Sequence, residues 1–131
     1  MRKGLLILFV SLLSLNTFAQ SIQSPDGKLS LSFGLSGNGE PTYELSFGGK
    51  SIVKKSRLGI ELKELPAFTS GFTVVKADRL QIDETWTPVW GEEKQIRNNY
   101  RELAVTLQQV SAKNRTMIIR FRLFDDGLGF R

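Results

Sequence analysis

The chain has no cysteine and no histidine in its 131 residues. Without cysteine there is no disulfide framework and no thiolate metal site, and no lipid can be attached to a cysteine just after a leader. Without histidine there is no Ser-His-Asp triad, no His-metal cluster and no imidazole base. Any chemistry must rest on carboxylates, lysines or tyrosines. Proline (four) and tryptophan (two) are scarce, so the few places where they cluster stand out. The excess of Lys and Arg over Asp and Glu, 18 against 13, is modest and dispersed. Lys54-Lys55 and the alternating Arg120 and Arg122 are the only close groups, and both read as a solvated sheet face. A nucleic-acid surface would need a basic stripe with stacking aromatics.

The N-terminus reads as an export signal. Arg2 and Lys3 form a positive start, Leu5 to Leu15 an apolar run broken by Ser11 and Ser14, and Asn16-Thr17-Phe18-Ala19 a small-residue cleavage site. The run is too short for a bilayer anchor, which needs about 20 apolar residues. The expectation is a signal peptide over 1–19, a mature chain from Gln20 and a periplasmic or secreted location, with no membrane after processing. Removing 19 of 131 residues leaves 112, and losing Arg2 and Lys3 takes the charge from +5 to +3. That length suits one domain.

From Gln20 onward the pattern is period two with turn punctuation. Leu29, Leu31, Phe33 and Leu35 alternate with Ser30, Ser32, Gly34 and Ser36, and Tyr43, Leu45 and Phe47 with Glu44 and Ser46. Gly37-Asn38-Gly39 joins them as a hairpin, and Pro25-Asp26-Gly27-Lys28 is a turn before the first. Ser51 to Lys55 and Leu58, Ile60, Leu62 suggest further strands, then Pro66 to Gly71 an irregular connection. Phe72 to Val75 and Arg79 to Ile82 are weaker candidates. Leu103 to Leu107 and Met117 to Leu123 alternate clearly, with Lys113-Asn114-Arg115 as a turn between them. Asp125-Asp126-Gly127 turns into a last strand, Leu128 to Arg131. The fold class is all-β, an antiparallel β-sandwich over residues 20–131. The apolar strand at Arg131 suggests a domain truncated at its C-terminus, and therefore a fragment expected to be marginally stable or to aggregate alone.

The most unusual segment is Glu84-Thr85-Trp86-Thr87-Pro88-Val89-Trp90-Gly91-Glu92-Glu93. If extended, it puts Trp86, Pro88 and Trp90 on one face. Two uses compete: a sandwich-core aromatic cluster, which is the commoner, and a flat surface on which sugar rings stack. Pro88 places the segment at an edge or in a loop. Asn98-Asn99 reads as a turn into the Leu103 strand, or, with Arg97, as a polar binding rim. Glu92 and Glu93 cannot flank one glycosidic bond, because neighbours in a strand point to opposite faces. Asp125-Asp126-Gly127 falls short of a calcium loop, and no glycine loop precedes a helix to cradle phosphate.

The stretches SPDGKLSLSFGLSGNGEPTYELSFGGKSIVKKSRLGIEL, TWTPVWGEEKQIRNNYREL and RFRLFDDGLGFR resemble, in order, the N-terminal domain of glycoside hydrolase family 97. The middle stretch is the most specific. The resemblance implies part of a β-super-sandwich ahead of a catalytic (β/α)8 barrel, in exported bacterial enzymes that cleave α-glucosidic or α-galactosidic bonds. It implies calcium in the full-length family, bound by no residue carried over to this chain, and catalytic carboxylates in the barrel, so none here. An α-linked oligosaccharide and the intramolecular barrel are the implied partners. Trp90, Glu92, Arg97, Asn98 and Asn99 are expected to lie near the barrel-facing side and to bind substrate. A free-standing carbohydrate-binding module and a structural interaction sandwich without a sugar site are the alternatives.

Overall fold

In the computed structural model, residues 19–110 and 114–131 are described. The expected signal peptide up to residue 18, and Lys113 of the expected turn, lie outside them. The described residues hold eight strands and no helix. They are β1 (Ala19–Gln23), β2 (Leu29–Leu35), β3 (Pro41–Phe47), β4 (Lys50–Arg57), β5 (Phe72–Trp86), β6 (Ile96–Gln109), β7 (Arg115–Phe124) and β8 (Gly127–Phe130). They form two antiparallel sheets, each a simple meander, in the orders β1-β2-β3-β4 and β5-β6-β7-β8. The all-β sandwich read from the alternation is the fold.

The apolar parity of β2 faces that of β6 and β7. Leu29, Leu31 and Phe33 join Leu103, Val105, Leu107, Ile119, Phe121 and Leu123 in one buried cluster. The rings of Phe33 and Phe121 meet across the two sheets at 5.7 Å. Burying side chains of this size contributes about 1.5–3 kcal/mol each, which is what holds two sheets without a disulfide between them. The sheets overlap with an offset. β1 lies against β6 and β2 against β7, and Tyr43 of β3 reaches Phe130 of β8 at 6.0 Å. This leaves β4 and β5 on opposite flanks of the overlap.

The turns follow their residues. Asp26 Oδ1 accepts from the Ser24 hydroxyl at 2.7 Å and from the Lys28 N–H at 3.0 Å, while Asp125 Oδ1 accepts from the Asp26 N–H at 2.9 Å. The β7–β8 turn at Asp125 is thereby tied to the turn ahead of β2. Gly39 has φ +69°, and a side chain there would meet the Phe72 backbone at 2.5 Å; only glycine fits. Asn114, at φ 51°, takes the left-handed conformation that asparagine tolerates ahead of β7.

Three expectations are corrected. Leu58, Ile60 and Leu62 do not form a strand: β4 ends at Arg57, and only an isolated bridge pairs Ile60 with Phe68. Phe72–Val75 and Arg79–Ile82 are one 15-residue strand, β5, with a register shift between Val74 and Lys76. Asn98-Asn99 is no turn: both lie within β6, paired with Glu84 and Asp83. One strand escaped the sequence reading altogether. β1 runs alongside β2, from Ala19 opposite Gly34 to Gln23 opposite Ser30.

Candidate functional site

β5 and β6 are paired over their whole length, from Phe72 opposite Gln109 to Trp86 opposite Ile96. They form a long two-stranded arm that ends in the loop 87–95. Alternation assigns its side chains. Leu103, Val105 and Leu107 face the core, so Arg101, Asn99 and Arg97 share that side, as do Gln81, Asp83 and Thr85 opposite them. Asn98, Tyr100 and Glu102 face away, with Glu84, Ile82 and Leu80 opposite.

Two polar links brace the end of the arm. Arg97 donates to both carboxylate oxygens of Asp83, Nε to Oδ1 and Nη2 to Oδ2, each at 2.9 Å. Asn98 Nδ2 donates to Glu84 Oε1 at 3.0 Å on the other face. The hydrogen bonds from Arg97 hold the Asp83 carboxyl below the usual carboxylate range, and Asp83 in turn raises Arg97. A forked guanidinium–carboxylate pair fixes orientation more than it adds stability at an exposed site.

The loop carries the aromatic groups outward. Trp90 is 90% exposed and Val89 88%, while Trp86, the last residue of β5, is 51% exposed. The commoner expectation for two tryptophans, a core cluster, is therefore not met, because the core lies between β2, β6 and β7 and the loop projects beyond it. Pro88 sits in the loop, as its missing N–H requires. Because β5 stops at Trp86, the extended geometry that would align Trp86, Pro88 and Trp90 does not form. Glu92 is also in the loop and exposed.

The five sequence candidates thus sit on one arm but not around one pocket. Trp90 and Glu92 are in the loop, Asn98 is on the outer face, and Arg97 and Asn99 are on the core side. A cleft of about 480 Å³ opens on the core side, where Arg79, Gln81 and Arg101 face Ser21, Ile22 and Gln23 of β1. Arg79 Nη2 donates to Gln20 Oε1 at 2.6 Å, and its Nη1 to the Ser21 carbonyl. Asn99 Oδ1 and Arg101 Nε are buried with no hydrogen-bond partner among the described residues. Groups of that kind are normally satisfied by water or a ligand oxygen.

The sequence reading missed a second constellation, on the outer face. Glu102 is 2% exposed. Its carboxylate accepts from Arg120 Nη1 at 3.1 Å and from Arg122 Nε at 2.7 Å. The Arg122 guanidinium also lies 4.7 Å over the Tyr100 ring, and Tyr100 packs on Phe124 at 5.2 Å. Burial pushes the Glu102 carboxyl up, but the hydrogen bonds from Arg122 and Arg120 outweigh it and leave the group below its ordinary value. Arg120 and Arg122 are therefore not a loosely solvated pair. The signal was their alternation on β7, but only the register that sets Arg122 opposite Glu102 turns it into a clamp. Among the described residues no three carboxylates come together as a metal cluster.

The fold is similar to that of part of larger solved enzymes. A glycoside hydrolase family 97 enzyme from a Pseudoalteromonas species, solved with acarbose and, as a variant, with panose, is 30% identical with a TM-score of 0.78. The match covers 85% of this chain and 17% of that one. A β-arabinopyranosidase matches at 22% identity and a TM-score of 0.73, again over 85% of this chain and 17% of its own, which is a likeness of fold. The chain thus spans about a sixth of the length of these relatives. The family model described as glycosyl-hydrolase 97 N-terminal matches residues 22–131, and the chain belongs to that family, the N-terminal domain of glycoside hydrolases.

Proposed function

We propose that the chain is the non-catalytic front sandwich of an exported α-glycosidase, bracing the catalytic domain and lending its β5–β6 loop to the rim of the sugar pocket. The observation that carries this reading is the loop itself. It presents Val89 and Trp90 to solvent at the end of an arm braced by the Asp83–Arg97 and Glu84–Asn98 links. An exposed indole suits the apolar C–H face of a sugar ring. Glu92, Arg97, Asn98 and Asn99 follow within nine residues of it along the chain, and they offer donors and acceptors of the kind that sugar hydroxyls need.

Catalytic carboxylates are assigned to the remainder of the enzyme, as the family resemblance implies, the relatives being about five times as long as this chain. The calcium ion that the family resemblance implies is assigned there too. Export rests on Arg2, Lys3 and the apolar run to Leu15, with Gln20 as the expected first residue of the mature protein.

The test is Trp90→Ala in the complete enzyme. KM for an α-linked oligosaccharide should rise about fivefold to twentyfold with kcat little changed, the sign of lost binding away from the reacting bond. An unchanged KM sinks the rim assignment. If instead the chain is a free-standing module, maltose-type sugars at millimolar concentration will shift its tryptophan emission with no other domain present.

A further inference from the structure

Glu102 occupies a position where burial does nothing to join the two sheets. It points away from the core, on the outer face of the β5–β8 sheet, yet it is as buried as the core residues. Burying a carboxylate costs several kcal/mol unless it is paired with good geometry. What this one does is fix guanidinium groups. Arg122 is held by its Nε and by the Tyr100 ring beneath it, and Arg120 by one Nη1. Each spends a single nitrogen on Glu102, its other donors have no partner among the described residues, and about two fifths of each side chain is in solvent.

The charge on this patch does not balance. The backbone of Arg131 pairs with that of Arg120 at 2.9 and 3.1 Å, which puts a third arginine on the same face. Lys76 and Asp78, on the same face, pair with each other at 3.2 Å, which leaves three arginines around the one carboxylate of Glu102. The remaining residues of the chain, 1–18 and 111–113, contain no Asp or Glu, so the missing negative charge is not among them. On either side stand Leu80 and Ile118, large, apolar and about half exposed. Fixed donors with uncompensated positive charge, flanked by apolar groups, are the composition of an interface core that meets a carboxylate.

We propose that the outer face of the β5–β8 sheet is covered by a second protein surface, apolar over Leu80 and Ile118 and presenting an Asp or Glu side chain to Arg120 and Arg122. This rests on the reading that the chain is the front of a larger enzyme, whose remainder is then the covering surface. Glu102 is a positioning residue in that interface: it orients the two arginines and makes no contact with the partner's carboxylate.

The test is arginine-selective dicarbonyl labelling of the complete enzyme, read by mass spectrometry. Arg120 and Arg122 should label at least tenfold more slowly than Arg57, whose side chain is 77% exposed. Ile118→Glu should bring their labelling to within about threefold of Arg57 and lower the melting temperature by several degrees. Ile52→Glu, on β4 at a similar exposure (55% against 48%), should do neither. Labelling of both arginines at the rate of Arg57 overturns the proposal, as does an equal loss of melting temperature in the two variants. Arginines that are reactive in the free enzyme and protected only by added oligosaccharide also overturn it, because the face would then be a sugar site. Normal KM in the Trp90→Ala enzyme would remove the loop from the sugar rim and leave this interface standing.

Discussion

At the level of single side chains, the costliest position to disturb outside the core is the clamp at Glu102. Removing Arg122 leaves a buried carboxylate with Arg120 as its single cation, whereas removing Glu102 leaves two arginines that water still reaches. Arg122→Ala should therefore cost about 3–5 kcal/mol and Glu102→Gln only about 1.5–3, measured by urea unfolding. The clamp also sets an acid dependence. Glu102 is lowered in the folded protein from an ordinary value of 4.5. Its contribution is fully present above 4.5 and disappears as pH falls through the lowered folded value. Stability plotted against pH should fall less steeply below 4.5 in Glu102→Gln, and an unchanged slope would show that other carboxylates, Asp26 and Asp83 among them, carry the whole effect. Gly39→Ala is a further test. It forces a side chain at φ +69° into the Phe72 backbone and should cost at least about 2 kcal/mol.

Among the elements, the strands that could be read were those with one clean apolar parity. β2, β6 and β7 alternate because one face of each looks into the core. β5 was legible only in pieces. It is an edge strand with polar groups on both faces, and the register shift at Val74/Lys76 inverts its parity midway. Leu58 to Leu62 had the right alternation and no strand: the segment finds a ladder partner at one position, in the isolated bridge of Ile60 with Phe68. β1 carries a single buried apolar residue, Ile22, too little for a periodic signal. Of the candidate site, the unusual loop composition was visible in advance. Its exposure was not, because two tryptophans in such a segment read more readily as core than as surface. The Glu102 clamp joins residues 18 and 20 positions apart, which no local pattern reveals. Replacing residues 87–95 with an Asn-Gly turn should leave the melting temperature within about 2 °C, since the arm's ladder already closes at Trp86 opposite Ile96. The same change should abolish any tryptophan response to sugar.

At the scale of the whole molecule, three of the four sheet edges formed by the described residues carry some protection and one does not. β4 is lined with Lys50, Lys54, Lys55 and Arg57, β5 carries Lys76 and Arg79, and Arg79 also caps the Ser21 carbonyl of β1. β8 reads Gly-Leu-Gly-Phe, with no charge and with Phe130 half exposed. An uncharged edge of that kind templates pairing with another strand. Isolated residues 20–131 should associate in a concentration-dependent way, seen by light scattering. Gly129→Lys, at a position where an added Cβ meets nothing within 4 Å, should suppress it. Scattering unchanged by the lysine would place the sticky surface elsewhere.

The meander order has a consequence for synthesis. Every strand pairing joins neighbours along the chain, so the first sheet can zip up while the ribosome is still making the second. It cannot shield Leu29, Leu31 and Phe33, however, until the segments that cover them, Leu103 to Leu107 and Ile119 to Leu123, have emerged. For some seventy residues of translation, a few seconds at ordinary elongation rates of about 5–20 residues per second, the nascent chain carries a formed but uncovered apolar sheet. That interval is when a holding chaperone has the most to bind.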